Sequence, residues 1–200
     1  MPTARTSLSI LVISLIGGML GGRLSTVIAP TNTDDLIAEY YQTESAVHVS
    51  PHGLRKKIAE GKNESILVDL RSAQEYEKEH IVGAVNIPAY SDPDHSAYDE
   101  VDRIVAAFKA LPQDKSIIVY CYSIPCMTGR KVGVMLAENG IYVQHLGIGW
   151  NEWRHFWQLW NHEHEWKTTN VMDYVATGKE PGVYKGPVKI SPCTEGEFGC

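Results

Sequence analysis

SIIVYCYSIPCMTGRK, residues 116–131, is the stretch on which the fold turns. Ile117 to Tyr120 are all β-branched or aromatic, and so short an unbroken apolar run reads as a strand buried on both faces of a parallel sheet. Cys121 is the first residue off its end. Pro125 interrupts the segment Tyr122 to Thr128, a loop, and after Gly129 the residues Val132, Met135 and Leu136 recur at helical spacing. In open α/β sheets, ligands bind at the carboxyl ends of strands, where the next helix points unpaired N–H groups into the crevice. A thiol there is drawn towards thiolate by the helix N-terminus and by nearby cations, here Arg130 and Lys131. A free cysteine at a strand end is also a common small hydrophobe, so the local pattern leaves both roles open.

Upstream, SILVDL (residues 65–70) reads as a second buried strand, and Val47 to Val49 as a brief one. Ser50-Pro51 opens a helix carrying Leu54 and Ile58 that stops at Gly61. Asp69 and Arg71 flank a strand end and are suited to a bidentate pair holding neighbouring loops. The charged helix that follows presents Glu75, Glu77 and Glu79 as a solvated face, and His80 reads as a hydrogen-bonded structural histidine. Residues 89–96 read as a loop. Val101, Ile104, Val105, Phe108 and Leu111 mark an amphipathic helix ending at Pro112. Downstream of the cysteine, Asn139-Gly140 closes a helix and Ile141 to Leu146 gives the last strand. Alternating strands and helices demand right-handed crossovers. The expected fold class is therefore α/β, a small, mainly parallel central sheet with helices on both faces.

Three ordered segments resemble the rhodanese-like family. VDLRSAQEYEKEHIVGAVNIP (residues 68–88) matches its first signature through Asp69, Arg71, His80-Ile81, Gly83-Ala84 and Asn86-Ile87-Pro88. VYC before a loop and helix resembles the active-site segment, and LGIGWNEW (146–153) resembles the closing signature through Gly149 and Trp153. The resemblance implies that Cys121 carries sulfur as a persulfide. It also implies a substrate-binding loop of Tyr122, Ser123, Ile124, Pro125, Cys126, Met127, Thr128, Gly129 and Arg130, whose amides hold the sulfur and the attacking anion. The chemistry would be attack of a thiolate on the outer sulfur of a small anionic donor such as thiosulfate, followed by transfer to a thiol or cyanide-like acceptor. Amides and Arg130 would stabilise the anion, and neither a metal nor an organic cofactor is required.

Three features depart from a simple single-domain member. The loop after Cys121 is about two residues longer than usual, a step towards the family's phosphatase relatives, although Cys121 to Arg130 exceeds their short Cys-loop-Arg spacing. Cys126 in CYSIPC is placed to resolve a persulfide or sulfenate on Cys121, provided the two Cα atoms lie within about 7 Å, which would make the protein a thiol redox enzyme. The third departure is the tail. Trp153, Trp157 and Trp160 share a face at helical spacing and read as core or as a docking surface for a protein partner, the latter suiting a non-catalytic binding module. His155, His162 and His164 invite a metal reading that the two-residue spacing of the last pair opposes.

The chain of 200 residues, 44% hydrophobic, has the length for one such domain with flanking segments, and its net charge of −6 without a basic stripe argues against nucleic acid. Between Arg5 and Arg23 lie 17 uncharged residues, long enough for a membrane anchor or a signal peptide. Pro30 after Val27-Ile28-Ala29 makes a poor cleavage site, so an anchor is favoured, with secretion after cleavage the alternative. Arg5 precedes the segment while Asp34 and Asp35 follow it, so the domain is expected to be exported, periplasmic or extracytoplasmic. In that setting Cys193 and Cys200 are suited to a disulfide. The expected organisation is residues 1–30 anchor or signal, 31–46 helical lead-in, 47–165 rhodanese-like domain and 166–200 irregular extension.

Overall fold

Side chains of a strand alternate between faces, and in this protein that alternation assigns every apolar residue of the two central strands to one of two cores. In the computed structural model, which describes residues 32–187, Leu67, Ile118 and Tyr120 face one core with Leu54, Trp150 and Trp153. Val68, Ile117, Val119 and Cys121 face the other with Ile104, Phe108, Val132 and Leu136.

The chain divides between Thr43 and Glu44 into two compact units. Helix α1 (Thr33–Val47) begins in the first. Asn32 caps it, its Oδ1 accepting from the Asp35 N–H at 2.8 Å. The second unit holds the sheet. Strand β1 (His48–Val49) leads into α2 (Pro51–Ala59), whose cap Ser50 accepts from the Gly53 N–H at 3.2 Å. Then come β2 (Ile66–Asp69), α3 (Ala73–Lys78), β3 (His80–Ile81) and β4 (Ala84–Asn86). The expected loop at 89–96 contains a small hairpin, β5 (Tyr90–Asp92) and β6 (His95–Ser96). Helix α4 (Val101–Lys109), β7 (Ile117–Tyr120), α5 (Thr128–Glu138), β8 (Gln144–Leu146) and α6 (Trp150–His155) complete the α/β core.

The central sheet is wholly parallel with strand order β1-β8-β7-β2-β4, flanked by helices as the sequence leads one to expect. β7 occupies its centre, and the register Asp69↔Tyr120 and Asp69↔Asn86 aligns three strand ends beside Cys121. β8 starts later than expected. Gly140 takes a left-handed φ of +74°, and the Ile141 N–H then closes on Leu136 O at 2.9 Å, so the chain is still finishing a helix cap where a strand was expected.

The tail is part of the domain well past residue 165. Strand β9 (Val175–Ala176) pairs antiparallel with β3, and Tyr174 is buried in the core beside Trp153 and Trp157. Trp157 lies in a 3₁₀ turn after α6 has ended at His155, so the three tryptophans share no helix; they converge instead as a cluster, Trp153 and Trp160 stacked at 5.1 Å. Trp153 and Trp157 are buried, which leaves neither as a docking surface. No helix among the described residues is long and apolar enough to cross a membrane. The expected anchor at residues 6–22 and the Cys193–Cys200 bridge lie outside the described residues.

Candidate active site

At the end of β2 the Asp69 side chain is fully buried, and a buried carboxylate requires partners. Arg71 supplies them bidentately, with Nε 3.1 Å from both carboxylate oxygens and Nη2 2.6 Å from Oδ2, as the sequence suggests for this pair. Tyr120 at the end of β7 donates to the same Oδ2 at 2.6 Å. Asn86 Nδ2 donates to the carbonyls of Asp69 and Arg71, tying β4 to the same point. Burial works to lower the Arg71 pKa, but attraction to the Asp69 carboxylate prevails and raises it, so the guanidinium stays charged. It lies 4.4 Å from the Trp150 ring, which links this knot to the start of α6. The result is a rigid floor beneath the cysteine loop.

Helix α6 holds the loop from the side. Its first N–H groups have no intrahelical partner, and those of Trp150 and Asn151 donate to the carbonyls of Cys121 and Tyr122, each at 2.8 Å. Glu152 binds the Gly149 N–H at 3.0 Å and the Ile124 N–H at 3.3 Å. Gly149 must be glycine, because a Cβ there would lie 2.2 Å from the Ser123 nitrogen and 2.4 Å from the Tyr122 carbonyl carbon.

The loop folds back on itself. A turn in which the Cys126 N–H donates to Ser123 O at 3.0 Å brings Cys126 against Cys121, and the two sulfurs are hydrogen-bond partners. Both also share the Tyr122 N–H and the Thr128 hydroxyl, Cys126 Sγ lying 3.3 Å from Thr128 Oγ1. Cys126 additionally accepts from the Thr128 N–H, the first of the orphan donors of α5. The anion cradle expected over Cys121 thus meets Cys126 instead, whose sulfur takes the helix donor. Cys121 is only 3% exposed, whereas Cys126 is half-buried. The contact with Cys121 and the hydroxyl and amide donors hold the Cys126 thiol down at about 4 against the opposing effect of burial. The Cys121 thiol is pushed far up, first by its hydrogen bond to Cys126 and then by burial. The two shifts run in opposite directions, so Cys126 is the sulfur that favours the charge and Cys121 the one that favours the proton.

The cations expected to activate Cys121 are otherwise engaged. Arg130 Nη1 donates to Cys126 O at 3.1 Å and Ile124 O at 3.3 Å, clamping the loop, and Lys131 Nζ sits 4.9 Å from the centre of the Tyr98 ring. Ser123 is half-buried, Ile124, Pro125 and Met127 form the loop's exposed outer surface, and Gly129 is buried.

Several participants were not singled out from the sequence. Tyr98 and Tyr90 lie with their hydroxyls 2.6 and 2.9 Å from Thr128 Oγ1, so the small hairpin and the turn after it form one wall. Glu75, expected on a solvated face, accepts from Tyr122 at 2.5 Å, and Glu79 pairs with Arg154 at 3.0 Å; only Glu77 of the three is exposed. His80 is structural as expected, its ring stacked on Tyr76 at 3.8 Å with each nitrogen facing a carbonyl. The histidine trio of the tail does not assemble, but His162 joins His52 and Glu165 in a group whose donor atoms lie within 4.8 Å of one another. Arg55 already supplies a cation there, its Nη2 hydrogen-bonded to Glu165 Oε1 and 2.8 Å from His52 Nε2. A cavity of about 510 Å³ lies on the other side of α5, between it and β8, and neither cysteine lines it.

A model of the rhodanese-like domain matches residues 50–156. The chain is 32% identical over 101 residues to the HTH-type transcriptional regulator Rv0324 of Mycobacterium tuberculosis, a match covering 50% of this chain and 38% of that protein. Among solved structures it resembles the BH2092 protein of Bacillus halodurans, with 28% identity, 62% of this chain and 81% of that chain covered and a TM-score of 0.47. It also resembles a rhodanese with anions from E. coli, with 26% identity, 42% and 86% coverage and a TM-score of 0.30.

Proposed function

This chain belongs to the rhodanese-like family, and from that premise we propose that it is a sulfurtransferase carrying sulfane sulfur on Cys121. The observation that supports the reading is the thiol pair at the carboxyl end of the central strand, one member of which takes an unpaired N–H of the following helix. Loss of its proton, to Cys126 or to water admitted with the donor, makes Cys121 the thiolate when a donor arrives. Its Sγ attacks the outer sulfur of thiosulfate or a similar anion, an S–S bond forms, and sulfite departs with the electron pair of the broken bond. Helix α5 and the loop amides favour the anionic donor and the departing anion. Because Cys121 is buried, entry requires the turn carrying Ile124, Pro125 and Met127 to part from α6. With residues 6–22 read as an anchor, the reaction takes place on the exported side of a membrane.

Intact-mass measurement of the full chain carrying Cys126→Ser, which leaves Cys121 as the loop's one thiol, after exposure to thiosulfate or a small persulfide tests this reading. Fragmentation places the added sulfur, about 32 mass units, on Cys121, and cyanide removes it as thiocyanate. Absence of any adduct with either donor would overturn the assignment.

A further inference from the structure

Cys126 is not needed to load Cys121, yet the fold gives it an N–H of α5 and a hydrogen bond to the buried thiol. We propose that Cys126 is a resolving thiol, which turns sulfur carried on Cys121 into free sulfide by closing a Cys121–Cys126 disulfide. This rests on the sulfurtransferase reading and names the acceptor for that site as the protein's own second thiol.

The geometry carries the proposal in two ways. First, Cys126 packs against the buried cluster to which Cys121 belongs and is its hydrogen-bond partner, so each sulfur is near the other without rearrangement of the chain. The Ser123–Cys126 turn is what folds a five-residue separation into contact, and Arg130 locks it through the carbonyls of Ile124 and Cys126. Second, Cys126 Sγ lies 3.3 Å from Oγ1 of Thr128, the first residue of α5, where the helix N-terminus favours a charged sulfur.

The step balances. The Cys126 thiolate attacks Sγ of the Cys121 persulfide, the bond between Sγ and the outer sulfur breaks, and the outer sulfur leaves as hydrosulfide with the bonding pair and the persulfide proton. The outer sulfur is reduced and the two cysteine sulfurs are oxidised to the disulfide. An external dithiol then reduces the disulfide. With thiosulfate as donor, one turn converts thiosulfate and a dithiol into sulfite, hydrosulfide, a disulfide and one proton. The reaction that precedes this site must therefore generate a sulfane-sulfur anion, and the one that serves it must regenerate a dithiol.

The test loads the full chain with thiosulfate in the absence of reductant and compares it with Cys126→Ser. Wild type should release about one equivalent of sulfide and end about 2 mass units lighter, with peptide mapping assigning the crosslink to Cys121 and Cys126 among the chain's 4 cysteines. Cys126→Ser should keep the added sulfur and release sulfide at least about tenfold more slowly. A wild-type protein that holds a stable persulfide with Cys126 reduced overturns the resolving role alone. Sulfide release from Cys126→Ser at the wild-type rate does the same. If neither protein accepts sulfur on Cys121, the sulfurtransferase reading fails and this one with it.

Discussion

Cys121 and Cys126 cannot be understood singly. A buried thiol beside a thiolate donates to it, and that donation is what holds the charge on Cys126 and keeps the proton on Cys121. Tyr90 and Tyr122, both pushed up by burial, remain neutral hydroxyls around the pair, and His145, whose pKa burial and Arg130 lower, adds no cation. The charge on the sulfur is thus stabilised by dipoles rather than by an opposite ion. This has a measurable consequence in alkylation. A folded value near 4 means that the thiolate is present throughout the neutral range and is lost only as pH falls through about 4. Iodoacetamide should therefore label Cys126 at a rate nearly flat from about pH 6 to 8, where an ordinary thiol gains about tenfold per unit until its pKa near 8.5. Labelling that climbs tenfold per unit across that range would show that the pair does not share a charge. The added mass should lie on Cys126, because Cys121 is closed over.

Helix α6 is short, yet it fixes the active loop by spending its first N–H groups on the carbonyls of Cys121 and Tyr122. The contact depends on Gly149. Its backbone lies in an extended conformation open to any residue, so the penalty of a side chain there is steric, set by the Ser123 and Tyr122 backbone atoms. Gly149→Ala should destabilise the chain by about 1–3 kcal/mol and, by pushing the loop away, abolish sulfur loading while far-UV circular dichroism stays native. Full retention of loading would separate α6 from the site. The glycine and the tryptophan of that segment were legible in the sequence, as were β2 and β7, because doubly buried strands appear as unbroken apolar runs. The hairpin of Tyr90–Ser96 was not, since its residues are polar and its pairs few. Glu75 read as solvated because three glutamates in one short helix look alike, and only the position of Tyr122 across the loop distinguishes it. Which cysteine takes the helix amide was equally hidden. Spacing gives the separation of Cys121 and Cys126, while the turn at Ile124-Pro125 decides which sulfur faces α5.

On the scale of the domain, the same two-core sheet must be closed on the side away from Cys121, and residues 157–184 do this. Tyr174 fills the space beside Trp153 and Trp157, and its carbonyl accepts from the Val82 N–H at 3.1 Å and from Trp153 Nε1 at 3.3 Å. The Gly83 N–H reaches Pro181 O at 2.6 Å, so the tail is stitched to the turn between β3 and β4. Its electrostatic fastening is Glu165, which meets Arg55 and His52 on α2. Burial tends to raise the Glu165 carboxyl, but hydrogen bonds from Arg55 and His52 overcome this and hold it at about 2. The sign follows from linkage: a carboxyl held below its ordinary 4.5 stabilises the fold above that value, and the contribution disappears as pH falls through about 2. Arg55 is itself 5% exposed, so removing the carboxylate leaves a buried guanidinium without its counter-charge. Glu165→Gln should lower the melting temperature by about 4–8 °C at pH 7, corresponding to about 2 kcal/mol for a chain of this size. The gap between variant and wild type should narrow steadily between about pH 4.5 and 2, where the carboxyl of wild type becomes neutral too. A gap of constant size across that interval would mean that Glu165 holds the tail by shape rather than by charge, and would remove Arg55 as the group that anchors it.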